Sequence, residues 1–159
     1  MFDDKKLEEL IDLLATLDSN TKIYLGCDSV RVKRKGKKPI AVFATVAIVH
    51  KNGNKGCKIF SVVDSEPDYD LKPSRPKLRM LNEVQKVCSL ATQLLPFIDE
   101  FDVEVHLDIS QDPNQGSNCA AKEALGYVMA TIGIEPKLKP ESFASSFGAD
   151  HIANHRKDH

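Results

Sequence analysis

Two aspartates stand at the ends of apolar runs. Asp28 follows the strand-like YLGC of YLGCDS (24–29), and Asp108 lies within EVHLDIS (104–110). A carboxylate in such a place is either an edge residue facing water or a charge held at the mouth of a site. Two further acids, Glu83 and Asp150, fall in helical patterns that could reach the same point. Carboxylates brought together repel one another, and keeping them ionised needs a cation. Hard oxygen ligands select Mg²⁺ or Mn²⁺ over zinc. Two such ions about 4 Å apart can activate a water and stabilise the leaving oxygen of a phosphodiester. From patterning alone, solvated surface carboxylates are the simpler reading, because the chain holds 23 acidic residues.

The segment RVKRKGKK (31–38) follows Asp28 and concentrates six basic residues: Arg31, Lys33, Arg34, Lys35, Lys37 and Lys38. As a hairpin tip it could track phosphates toward the carboxylates. Equally, lysines guard exposed sheet edges. Arg75, Lys77 and Arg79 could extend the patch. No aromatic residue interleaves the basic segment and the chain has no tryptophan, which argues against base stacking. His151, His155 and His159 recur at helical spacing, but the H-E-x-x-H pattern of a zinc site is missing. His151 beside Asp150 is better suited to proton transfer. His106 shares the Asp108 face of its strand and reads as a half-buried strand residue. Asp64, Asp68 and Asp70 read as solvated loop acids, and Asp112, before Pro113, as a turn initiator.

The elements that would position these residues follow from periodicity. Leu7, Leu10, Ile11, Leu14 and Leu17 predict an amphipathic helix over 3–17. Strands follow at 22–29, 39–50 and 57–63, the last two joined by KNGNKG. A Pro-rich connector over 64–76 leads to a helix carrying Leu78, Leu81, Val84, Cys88, Ala91 and Leu95 inward, with Ser74 as its expected cap. FDVEVHLDIS (101–110) alternates cleanly, with Val103, Val105, Leu107 and Ile109 on one face and Asp102, Glu104, His106 and Asp108 on the other. A helix over 117–132, a short strand near 134–138 and a last helix complete the order αβββαβαβα. The expected architecture is a mixed five-stranded sheet flanked by helices, of α/β class. The expected domain layout is an N-terminal helix over residues 1–20 packed on one domain over 21–159.

Composition sets the remaining bounds. With 159 residues, 42% hydrophobic content and a formal net charge of −1, the chain can bury one sizeable core and has no global attraction to polyanions or membranes. No apolar run reaches bilayer length and the N-terminus is acidic, so a cytoplasmic location is expected. The four cysteines form no C-x-x-C pair and read as small buried thiols. No seam commits the chain to an oligomer.

The segments GCDS, EVHLDIS, GYVMATIG and KPESFASSFGADH, in this order, resemble the YkuK-type RNase H-like family of small bacterial and phage proteins, over roughly residues 20–152. The resemblance implies an RNase H-like fold with one acid on the first strand, one on the first core helix, one on the fourth strand and one on the last helix. Residue by residue these match Asp28, Glu83, Asp108 and Asp150. It further implies a Mg²⁺- or Mn²⁺-dependent nuclease acting on RNA, an RNA–DNA hybrid or DNA, and leaving a 5′-phosphate. Two alternatives stay open: a non-catalytic nucleic-acid-binding module, and a structural or protein-interaction domain using the N-terminal helix.

Overall fold

The computed structural model describes residues 1–53 and 55–146. In chain order these form α1 (Asp4–Leu14), β1 (Lys22–Arg34), β2 (Lys37–His50), β3 (Cys57–Pro67), α2 (Lys77–Ile98), β4 (Asp102–Ser110), α3 (Ala121–Ile132) and β5 (Lys137–Lys139). Short 3₁₀ turns cover Lys51–Gly53 and Gly116–Ala120. The five strands make one mixed sheet in the order β3-β2-β1-β4-β5. The β1–β2 and β2–β3 pairs are antiparallel, whereas β1–β4 and β4–β5 are parallel. This is the mixed five-stranded α/β sheet expected from the order of elements, and it is the RNase H-like architecture that the resemblance implies.

The strands run further than their apolar cores suggest. β1 and β2 extend through the basic segment, so the hairpin turns at Lys35 and Gly36, whose φ of 69° suits glycine. Strand alternation builds the core. Ile23, Leu25 and Cys27 of β1 and Val105, Leu107 and Ile109 of β4 are buried on one face, against Val84, Val87, Leu90, Ala91 and Leu94 of α2. Truncating Leu25 or Leu90 to alanine would cost about 2–5 kcal/mol. α1 packs through Leu10 and Leu14, with Phe2 just before it. The Phe2 main chain is clasped by the Gln93 amide of α2, at 3.0 and 2.9 Å.

Four local expectations need correction. Ser74 does not cap α2. Instead Asp70 reaches across from the connector and accepts the Leu78 and Arg79 amides at 2.8 and 2.9 Å. Asp68 and Asp70 are accordingly not solvated. Asp70 is buried, and the Asp68 carboxylate is enclosed in an ion pair with Arg31 at 3.0 Å. Leu78, expected inward, is 54% exposed, because the inner face of α2 begins at Met80. Among the cysteines, Cys27 and Cys88 are buried, but Cys57 is exposed and Cys119 half-buried.

Candidate active site

The parallel β1–β4 ladder registers from Lys22 with Asp102 to Cys27 with Leu107. Asp28 and Asp108 come next on their strands, so they project from the same face at the same level. Their carboxyl groups are close enough for the charge of Asp108 to act directly on Asp28. Burial, and then the negative charge of Asp108, push the Asp28 carboxyl up to about 6. The Ser29 amide, donating to Asp28 Oδ1 at 2.8 Å, and the charge of Arg79 oppose that rise. From β5, Lys139 Nζ stands 2.5 Å from Asp108 Oδ1.

Glu83 approaches from the other side of the sheet. Its inward position on α2 follows from the helical repeat, yet its partner is Ser29, which the strand alternation turns toward α2. The Ser29 hydroxyl donates to Glu83 Oε1. Arg79, one turn before Glu83, donates to the Ser29 carbonyl and hydroxyl oxygens, both at 2.8 Å. Burial holds the Glu83 carboxyl well above its ordinary range; the Ser29 hydrogen bond and Arg79 oppose this, and the charges of Asp28 and Asp108 add to it. Glu83 therefore shares the electrostatics of the aspartate pair while being bonded through Ser29.

The aspartates' face of the sheet also carries the anchor for the segment after β5. His106 is fully buried. Its Nδ1 accepts the amides of Phe143 and Ala144 at 3.0 and 3.1 Å, which leaves Nε2–H to donate to Glu104 at 2.9 Å. Tyr24 and Phe143 pack on its ring. Gly26 permits the approach, since a Cβ there would lie 2.9 Å from the Ser145 nitrogen and 3.0 Å from Ala144 Cβ. His106 is thus a buried structural acceptor rather than a half-buried strand residue.

The donor set fits a hard divalent cation. All three acids offer oxygen, and the two whose carboxyls are raised are destabilised as anions, a condition that a cation relieves. The Lys139 ammonium already supplies positive charge at Asp108. Among the described residues, no three His, Cys, Asp or Glu side chains are grouped to hold a metal ion. Asp28 and Asp108 are the pair brought together, and Glu83 is adjacent but turned onto Ser29. Asp150, with His151, His155 and His159, lies outside the described residues.

The basic residues divide into two sets. Arg31 is occupied by Asp68 and the Asp70 carbonyl, both at 3.0 Å, and Arg34 by the Lys38 carbonyl. Lys33, Lys35, Lys37 and Lys38 are exposed around the hairpin tip. Sequence reasoning missed Ser29, Lys139, Gly26 and the role of Arg79. Only Arg79 carried a signal, as the residue four before Glu83 on one helix face.

The chain matches the ribonuclease H-like family over residues 6–154 and belongs to that family. The family ties it to nucleic-acid-related function and generally uses divalent metal ions. No curated protein matches the chain. Among solved structures it is similar to the prototype foamy virus protease-reverse transcriptase, at 10% identity and a TM-score of 0.46, covering 86% of this chain and 20% of that one. None of the described helices is long and apolar enough to cross a membrane.

Proposed function

We propose that the chain is a Mg²⁺- or Mn²⁺-dependent nuclease that hydrolyses phosphodiester bonds of nucleic acid. The observation that carries this reading is the pair of carboxyls abreast on parallel strands, with Asp28 pushed up to about 6. Asp28 and Asp108 would hold the metal, with Glu83 and Asp150 completing the shell. When bound, the ion supplies an activated water and charge stabilisation for the leaving oxygen. The chain's own groups do the rest. At neutral pH, Asp28 is largely ionised and free to bind. Arg79 fixes Ser29, and Ser29 holds Glu83 in reserve beside the pair. Lys139 neutralises Asp108 until substrate and cation arrive. Lys33, Lys35, Lys37 and Lys38 would contact phosphates, with Arg31 and Arg34 stiffening the hairpin that presents them.

The GCDS and EVHLDIS motifs support the finer assignment to the YkuK-type group. Packing of α1 on the sheet supports the division into residues 1–20 and a single domain over 21–159. A cytoplasmic setting belongs to the same proposal, since the near-neutral net charge gives no attraction to membranes. A non-catalytic binding module is the second reading, favoured by one observation: Glu83 is bonded to Ser29 rather than aimed with the aspartates at a common point.

Cleavage of labelled single strands, duplexes, RNA–DNA hybrids and branched DNA with Mg²⁺ or Mn²⁺ tests the proposal, beside Asp28→Asn and Asp108→Asn. Metal-dependent cutting lost in both variants is expected. Binding without cutting, unchanged by either substitution, would transfer the assignment to the binding module.

A further inference from the structure

Beside the N-terminus of α2 lies an open cleft of about 460 Å³ that the site's three carboxylates do not line. Tyr69, Leu71 and Leu78 give its lining apolar surface, and Lys72, Arg75 and Lys77 line it too. The three apolar side chains are 68%, 97% and 54% exposed, a concentration of large apolar surface on one short stretch that calls for an occupant. The shelf is nevertheless rigidly placed. Asp70, between Tyr69 and Leu71, is bonded to the Leu78 and Arg79 amides, and the Asp70 carbonyl and Asp68 are tied to Arg31 of β1. The one carboxylate in the lining, Asp70, is thus spent on capping. Among the described residues, Lys77 alone of the three cations has an acidic partner, Glu123. The cleft therefore offers exposed apolar surface, an aromatic ring and net positive charge.

That combination matches a nucleotide, with a base for the apolar surface and a phosphate for the cations; an acidic peptide would supply the charge without needing the ring. The shelf is tied to the carboxylate site through α2. Leu78 and Glu83 are five residues apart on α2, about 7.5 Å along the axis at 1.5 Å per residue, and Arg79, next to Leu78, touches Ser29 beside Asp28.

We propose that this cleft binds an unpaired nucleotide of the same nucleic acid whose backbone passes the Asp28–Asp108 pair, with its base stacked on Tyr69 and its phosphate held by Lys72 and Arg75. The inference deepens the nuclease reading and rests on it for the direction of the strand. It selects substrates that are single-stranded next to the cut. A base still paired in a duplex has no free face to offer the ring.

The test is binding without cleavage, using Asp28→Asn protein in EDTA with a fluorescent eight-nucleotide oligothymidylate and a duplex of equal length. Tyr69→Ala is expected to weaken the single strand roughly tenfold, to leave the duplex within about twofold, and Tyr69→Phe to restore the single-strand affinity. Lys72→Ala with Arg75→Ala should make the logarithmic salt slope shallower by about 0.7 for each phosphate that is no longer neutralised. Tyr69 and Leu71 are exposed, so unchanged thermal unfolding of each variant is expected and separates binding from folding. Equal binding of wild type and Tyr69→Ala, or an equal loss on duplex and single strand, would overturn the proposal. So would a dimer that Leu71→Ser dissociates in sedimentation while nucleic-acid binding stays intact, since the shelf would then belong to a second copy. None of these readouts involves cutting, so a failed nuclease and a failed shelf give different results.

Discussion

Asp28 and Asp108 stand side by side, one residue past the last registered pair of the parallel β1–β4 ladder, close enough for the charge of Asp108 to raise the Asp28 carboxyl. Two ionised carboxylates at that spacing repel, so the pair either keeps a proton or recruits a cation. The contrast between those two states governs the pH and metal behaviour expected of the protein.

The Asp28 carboxyl titrates near 6 in the folded chain, against 3.8 for the free group. The folded state therefore holds more protons than the unfolded one between about pH 4 and 6, and stability falls as pH rises through that window. The contribution is at most about 3 kcal/mol, and it stays lost above pH 6. Asp28→Asn should flatten this part of the profile and raise the melting temperature of the metal-free protein at pH 7 by several degrees. Identical melting profiles for the variant and wild type across pH 4–7 would show that Asp28 carries no such strain.

Lys139 meets Asp108 at 2.5 Å, with its side chain half exposed. Lys139→Gln removes the charge that stands at the pair. The metal-free protein should lose no more than about 1 kcal/mol, as for other solvent-facing ion pairs. The rise in melting temperature on adding Mn²⁺ should become larger than in wild type. A smaller rise would mean that the ammonium does not share the cation's place.

Asp70 caps α2 through two amides. Asp70→Ala should destabilise the protein by about 1–2 kcal/mol, with Asp70→Asn milder. Ser74→Ala should change little. Chemical denaturation of the three variants decides the matter, and a Ser74→Ala effect as large as that of Asp70→Ala would reverse the assignment.

Much of the frame was legible in the sequence because it depends on local periods. The period-two alternation of β4 assigns Asp108 a face without knowledge of its neighbours, and the order of strands and helices follows from where one period gives way to another. What escaped were relations across the chain. The cap of α2 comes from Asp70 over a folded connector rather than from the adjacent Ser74. The helical pattern brings Glu83 near the site, yet its bond to Ser29 depends on how α2 sits over β1. Tyr69 lies in a polar connector and gives no periodic signal, so the exposed ring beside Arg75 emerges only in three dimensions.

Gly26 is a position where two backbones come close on the site's face. A methyl there would sit 2.9 Å from the Ser145 nitrogen, so Gly26→Ala must push residues 144–145 off the sheet, at a cost of about 1–3 kcal/mol. Hydrogen exchange at Phe143 and Ala144, whose amides are bonded to His106, should accelerate in this variant. Unchanged protection there would mean that the sheet yields instead.

The strand order has a consequence for how the chain is made. β1 lies at the centre of the sheet, but its partner on one side, β4, is translated only after β2, β3 and α2. At roughly 5–20 residues per second, a nascent chain carries the β1–β2–β3 meander with one long edge of β1 unpaired for on the order of 10 s. That edge bears the apolar Ile23, Leu25 and Cys27, and it is a template for pairing with another chain.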